Sequence, residues 1–162
     1  IGRYKIYTYM NDTLNLLDNW DYRFLALARH IASWSKDPSR KLGAVAIGQN
    51  RQILATGYNG FPRGIDDDKE RYNVREIKYK YVVHAEMNCI YNATENGVSL
   101  QDATVYVHGL PVCSECAKGL IQVGVERVVA FSKGTPEQWK ESNILTTQLF
   151  EESGIHYDFA EV

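Results

Sequence analysis

The 162-residue chain, 44% apolar and 23% charged, has the size and composition of one globular domain with a full hydrophobic core. A formal net charge of −2 and a sequence pI near 6.1 argue against DNA or RNA as the main partner, while a small phosphorylated ligand needs only two or three local cations. Three cysteines, two of them at C-x-x-C spacing, make no disulfide framework, and no apolar run reaches the length of a membrane span. The expectation is a cytoplasmic protein with no membrane partner, whose cysteine pair binds metal or does redox work. The start, Ile1-Gly2-Arg3-Tyr4-Lys5, lacks an initiator methionine and an apolar h-region, so a longer parent chain is expected and a signal peptide is not.

Residues 1–18 show no clear period and read as an N-terminal arm, with Tyr4, Tyr7 and Tyr9 available to pack against a neighbour; residues 19–162 read as a single domain. Asp18 or Asn19 is the expected N-cap of a helix running to about Ser35, with Phe24, Leu27, Ala28, Ile31 and Trp34 on one face. Pro38 breaks it, because the residue before a proline is pushed out of helical geometry. Leu42 to Ile47 and Gln52 to Tyr58 are strands joined by a turn at Gln49-Asn50-Arg51, a hairpin. Asn59 to Gly64 is loop chemistry, Asp66 to Asp68 a solvated acidic run, and residues 70–81 are charged and partly helical. His84 opens a helix to about Glu95, stopped by Gly97. Then follow a strand over Ala103 to Val107, a helix over Cys116 to Val123 ended by Gly124, and a strand over Arg127 to Phe131. A long amphipathic helix from Pro136 to Ser153, Gly154 and a fifth strand over Ile155 to Phe159 complete the chain. Strands alternating with helices after an opening hairpin predict an α/β fold, a three-layer α/β/α sandwich with a mixed five-stranded sheet.

Chemistry concentrates in two stretches, Val82-Val83-His84-Ala85-Glu86-Met87-Asn88 and Pro111-Val112-Cys113-Ser114-Glu115-Cys116. One imidazole and two thiolates are a donor set that tetrahedral zinc prefers. The cysteines follow a strand and enter a helix, whose positive N-terminal end favours thiolate. Three protein ligands with an open position make a catalytic site; a fourth ligand makes a structural one. The structural alternative would draw that ligand from His30, His108, His156 or Cys89, of which Cys89 reads as core and His108 stays open as a neighbour of the site. Glu86, two residues after His84, favours the catalytic reading, in which zinc acidifies a water and Glu86 carries its proton.

Four segments extend the pattern: Ser35-Lys36-Asp37-Pro38 with Gly43-Ala44-Val45; Gly57-Tyr58-Asn59-Gly60-Phe61-Pro62; His84-Ala85-Glu86-Met87-Asn88; and Cys113-Ser114-Glu115-Cys116-Ala117. Together they resemble the cytidine-deaminase superfamily, whose signature is H-x-E…P-C-x-x-C, and within it the deoxycytidylate (dCMP) deaminases, from about Asp21 to Ile155. The resemblance implies a cytidine-deaminase-like fold and hydrolytic deamination of dCMP to dUMP and ammonia, feeding dTMP synthesis. It implies one catalytic Zn2+ at His84, Cys113 and Cys116, Glu86 as proton shuttle, a base pocket lined by Ala44 and the backbone of Ala85, and a sugar contact from Asn59. It further implies an allosteric nucleotide site at Gly57, Tyr58, Asn59 and Gly60, activated by dCTP and inhibited by dTTP, with Mg2+ accompanying the triphosphate, and a homo-oligomer, by resemblance a hexamer. Two departures stand out. Val112 occupies the place directly before the first metal cysteine where the family usually has proline, which is expected to alter the loop under the base without removing a ligand. Residues 60–83 contain no Cys or His, so the second, structural zinc of some members is expected to be absent.

A monophosphate needs cations or backbone donors. Lys36, Arg40, Lys41, Arg63, Lys78 and Lys80 are candidates, each otherwise a solvated surface charge; Lys36 and Ser35 rank first. Asn88 is expected to orient the loop bearing Cys113; Tyr58 and Phe61 to serve partly as core and partly as stacking rings; Trp20, Trp34 and Trp139 to be core or interface. Competing readings are a deaminase of cytidine, dCTP, guanine or tRNA adenosine, and a catalytically silent zinc- and nucleotide-binding regulator, which would gain nothing from Glu86.

Overall fold

Short Val- and Ala-rich runs alternate with amphipathic segments, and in the computed structural model, which describes residues 17–160, they form a sheet between two helical layers. The strands are β1 (Gly43–Ile47), β2 (Ile53–Tyr58), β3 (Thr104–His108), β4 (Arg127–Phe131) and β5 (His156–Ala160), in spatial order β2-β1-β3-β4-β5. β1 is antiparallel to both neighbours, whereas β3, β4 and β5 run parallel, so the sheet is mixed as expected. All five residues of β1 are buried, which explains why it reads as a continuous apolar run and not as an alternating one.

Helix α1 (Asn19–Ala32) covers one face, burying Phe24, Leu25 and Ile31 against Val45, Tyr106 and Val129. Its start is a reciprocal cap: the Asp18 carboxylate accepts from Trp20 and Asp21 N–H, and Asp21 accepts from Asp18 N–H. The other face carries α4 (Ala85–Glu95), α5 (Ser114–Gln122) and α6 (Lys140–Ser153) over Val105, Val107 and Val128. Two short helices, α2 (Lys69–Asn73) and α3 (Arg75–Tyr81), precede α4. No helix among the described residues is long and apolar enough to cross a membrane.

Several elements differ from expectation for local reasons. α1 stops at Ala32, so Trp34 lies past the helical period and is 54% exposed, edge-on to Tyr58. The acidic run is not merely solvated: Asp68 caps α2 and Asp67 pairs with Lys36. The long C-terminal helix opens as a 3-10 turn over Glu137–Trp139 before α6 begins. The expected arm falls, except for its last two residues, outside the described residues; of those two, Leu17 is buried in the core under α1.

One polar cluster was not anticipated. Arg127 on β4 reaches Asp21 of α1 (Nη1 to Oδ1, 2.8 Å) and Asp158 of β5 (Nε to Oδ2, 2.8 Å), while Tyr106 donates its hydroxyl to Asp21 Oδ1 at 2.7 Å. It ties the α1 layer to the parallel half of the sheet.

Gly57 is where β2 meets α4. A Cβ there would lie 2.3 Å from Cys89 N and 2.5 Å from Ala85 O, inside the helix backbone. Gly57→Ala should therefore destabilise the fold by about 1–3 kcal/mol through overpacking. Chemical denaturation measures it, and an unchanged midpoint would contradict this close approach.

Candidate active site

Two helix starts meet at the end of β3. His84 is the N-cap of α4 and Cys113 the N-cap of α5, both with extended backbone, so neither side chain is carried away by a preceding helical turn. Cys116 lies in the first turn of α5, and its N–H donates to the Cys113 sulfur at 3.5 Å, a bond that favours thiolate. His84 Nδ1 sits 3.3 Å from Cys113 Sγ and 3.4 Å from Cys116 Sγ. For tetrahedral zinc, Zn–N near 2.0–2.1 Å and Zn–S near 2.3 Å put the N–S edge at about 3.5 Å. The donor chemistry and the spacing fit that ion.

Among the described residues this ligand group has three members, His84, Cys113 and Cys116. The other candidates lie elsewhere: His30 and His156 are exposed, His108 stacks on Phe131 with ring centroids 5.0 Å apart, and Cys89 is core, its thiol pushed up to about 12 by burial. Without metal the two thiols share a proton: donation from Cys116 holds Cys113 well below the ordinary thiol range and Cys116 correspondingly above it. The hydrogen bond to Cys113 raises the His84 ring to about 9. Metal binding must displace these protons, so zinc affinity should fall as the solution is acidified.

Glu86 occupies the first turn of α4 and is 4% exposed; burial, the largest effect, pushes its carboxyl up to about 6. It lines, with His84 and Cys113, a cavity of about 530 Å3. Leu42, Val82, Leu110, Pro111 and Trp139 give the cavity its apolar wall, Ser39, Arg40, Arg75 and Tyr79 stand at the more exposed rim, and the half-buried Lys78 lines it beside them.

The remaining expected residues distribute unevenly. Asn59 lines the cavity, but its amide is engaged by backbone: Oδ1 accepts from Leu42 N–H at 2.8 Å and Nδ2 donates to Arg40 O at 2.9 Å. One N–H and one lone pair of that amide stay unused by these two bonds. Ser35 is buried away from the cavity and donates to Asn59 O at 2.8 Å, which shapes the loop; it lines no part of the cavity wall. Lys36 points outward to Asp67, and neither it nor Arg63, Lys41 or Lys80 lines the cavity. Ala44 and Ala85 are fully buried, packed in the core behind it. Lys78 does line it, bonded to Asp37 at 3.0 Å and to Ser39 Oγ at 2.6 Å. Asp37 is the hub of that rim: its Oδ1 also accepts from the N–H groups of Ser39 and Arg40, and these bonds, against the upward push of burial, hold its carboxyl below the usual range.

The hydrogen bonds of the Asn88 side chain run to the segment before α4 and to β2. Asn88 donates to Tyr58 O at 2.7 Å and to Val83 O at 3.5 Å, and Asn92, one turn on, donates to Thr56 O at 2.7 Å. Gly60 and Val83 exchange backbone hydrogen bonds, so the Gly57-to-Gly60 segment is tied to the residues just before His84. Within that segment Gly57 and Asn59 are buried and Tyr58 is 40% exposed; Phe61 stacks on Tyr72 at 4.0 Å. Arg75, Tyr79, Gln138 and Trp139 were not singled out as cavity residues; nothing local in sequence separates them from surface positions.

Three borderline donors and a carboxylate held on helix starts place the chain among the zinc-dependent hydrolases. It belongs to the family described as the cytidine and deoxycytidylate deaminase zinc-binding region, which matches residues 18–132. The human deoxycytidylate deaminase is 34% identical over 145 residues, 85% of this chain and 78% of that one. An uncharacterized deaminase of Aliivibrio fischeri is 35% identical over 147 residues, 86% and 92%. A probable deoxycytidylate deaminase of Caenorhabditis elegans is 44% identical over 109 residues, which is 65% of this chain but only 54% of that protein. Among solved structures, the dCMP deaminase of cyanophage S-TIM5 in complex with dCMP and dUMP superposes with a TM-score of 0.72 at 21% identity, over 90% of this chain and 99% of the other, a likeness of fold.

Proposed function

We propose that the protein hydrolyses dCMP to dUMP and ammonia, a step that feeds dTMP synthesis. The observation that carries this reading is the buried Glu86 beside the three-ligand group, in a cavity whose rim is cationic. Zinc held by His84, Cys113 and Cys116 would supply Lewis acidity, bringing the pKa of water down to about 7. Glu86 takes one proton from the attacking water and delivers it to the ring nitrogen, then takes the second from the new hydroxyl at C4 and delivers it to the amine, which leaves as ammonia as C4=O forms. Leu42, Leu110 and Trp139 wall the base in and exclude bulk water, and Asn59 offers its unused amide N–H to the sugar. The relatives named deoxycytidylate deaminase support the phosphorylated substrate.

For the monophosphate we assign Lys78, with Ser39, Arg40 and Arg75, in place of Lys36. Lys78→Met should raise KM for dCMP about 10–100-fold with kcat little changed, as expected for loss of a charge-assisted hydrogen bond made equally in ground and transition state. Steady-state kinetics measure it; an unchanged KM removes Lys78 from the phosphate site.

The same reading includes regulation by dCTP and dTTP at the Gly57-to-Gly60 segment, with Mg2+ on the triphosphate, in a homo-oligomer. The support is the hydrogen-bonded route from Tyr58 and Gly60 through Asn88 and Val83 to His84. Ammonia release measured on dCMP, dCTP, cytidine and guanine, each with and without dCTP or dTTP, tests all of it. Preference for dCMP supports the substrate; equal rates on cytidine and dCMP reject the phosphate reading, and indifference to both triphosphates rejects the regulation.

A further inference from the structure

The backbone that carries Cys113 is gripped by three hydroxyls from two distant elements. Val112 is fully buried; its N–H donates to the Tyr157 hydroxyl at 2.9 Å and its carbonyl accepts from Thr146 Oγ1 at 2.9 Å. One residue beyond Cys113, the Ser114 N–H donates to Ser142 Oγ at 2.9 Å. Ser142 and Thr146 lie one turn apart on α6, so one helix face reaches both sides of the cysteine. Tyr157, on β5, is fixed by an edge-on contact with Phe150 (5.0 Å) and a tilted one with Phe159 (4.3 Å), and burial pushes its hydroxyl up, keeping it neutral.

The Val112 peptide is the joint between the loop after β3 and the first turn of α5. Cys113 itself is extended, with φ −75° and ψ 161°, so no helical bond to an earlier residue orients it. The Tyr157 bond holds the peptide unit before Val112 and the Thr146 bond the unit between Val112 and Cys113, so together they fix the backbone from which the Cys113 side chain leaves. A buried N–H demands an acceptor. Proline at position 112 would carry no N–H and make no such demand; valine creates it and Tyr157 meets it.

We propose that Tyr157 and Thr146 are positioning residues for the metal ligand Cys113, holding the two peptide units that flank Val112, with the Tyr157 hydroxyl matched to the N–H that valine brings. The inference rests on His84, Cys113 and Cys116 being the zinc site. Groups behind a ligand typically tune metal affinity 10–100-fold without touching the ion.

The test compares zinc-loaded wild type, Tyr157→Phe, Thr146→Val and the double variant Val112→Pro/Tyr157→Phe. Zinc release into excess chromophoric chelator is followed at a temperature where melting curves show every apo and zinc-loaded protein folded. Tyr157→Phe should release zinc at least about 10-fold faster than wild type. The double variant should return toward the wild-type rate, because proline removes the orphaned N–H and its ring fills the space that the lost hydroxyl vacates. A general loosening of the fold would not be cured by a second substitution at Val112. Release from Tyr157→Phe at the wild-type rate, or a double variant no slower than Tyr157→Phe, overturns the clamp while leaving the zinc site standing. A wild type that takes up no zinc overturns both. Should Tyr157→Phe not fold, Thr146→Val decides: faster release supports the clamp and an unchanged rate overturns it.

Discussion

Glu86→Gln should leave zinc content unchanged and lower turnover of dCMP by about 10²–10⁴-fold, the span that a positioned general acid–base contributes. Glutamine keeps the size and one carbonyl acceptor but cannot take up and release a proton. Because Glu86 is outside the ligand group, metal analysis of the purified variant should match wild type. The two measurements together are the point: loss of activity with loss of metal would make Glu86 a ligand, and retained activity would make it a bystander. KM should move little, since the proton transfers belong to the transition state.

Arg127→Met carries the largest expected effect on stability, about 3–5 kcal/mol by denaturant titration, because it strands two buried carboxylates. The side chains of Asp21 and Asp158 are 5% and 2% exposed and share the one guanidinium. Burial pushes the Asp21 carboxyl up, but hydrogen bonds from Arg127 and Tyr106 outweigh it and hold it below its ordinary 3.8. A carboxyl with a depressed folded pKa stabilises fully above its unfolded value and loses that contribution as pH falls through the folded one. In wild type the Asp21 contribution is thus present at neutral pH and lost only below about 3.8. In Arg127→Met the stranded Asp21 carboxylate is relieved by protonation, so the deficit should be greatest near neutrality and shrink in acid. A deficit independent of pH would assign the loss to packing instead.

How legible the molecule was depends on how local each signal is. The sheet and its order of elements could be read because strand length and helical period are properties of short windows; Gly97 and Gly124 do end helices, with φ of 64° and 81°. The convergence of His84, Cys113 and Cys116 could be read because their residue types are rare and their spacing puts each on a helix start. Which cations line the cavity could not. Lys36 and Lys78 look alike in sequence, and only the path of α3 along the cavity sets Lys78 on its rim while Asp67 draws Lys36 outward. Ser35 was ranked for its hydroxyl, yet that hydroxyl is used on the Asn59 carbonyl. The Tyr157 contact to Val112 spans 45 residues and the Arg127 contact to Asp21 spans 106, separations at which sequence carries no pattern.

The two asparagines on α4 have a consequence for assembly. β2 is the outermost strand, and such a margin ordinarily offers a row of free acceptors to any extended chain that comes alongside. Here Asn88 and Asn92 reach over and occupy the Tyr58 and Thr56 carbonyls, so this border is plugged from within the same subunit. Prolonging the ladder from one molecule into the next along that side would compete with these two bonds, whereas the side chains of Trp34, Ile53 and Tyr58 are solvent-facing there.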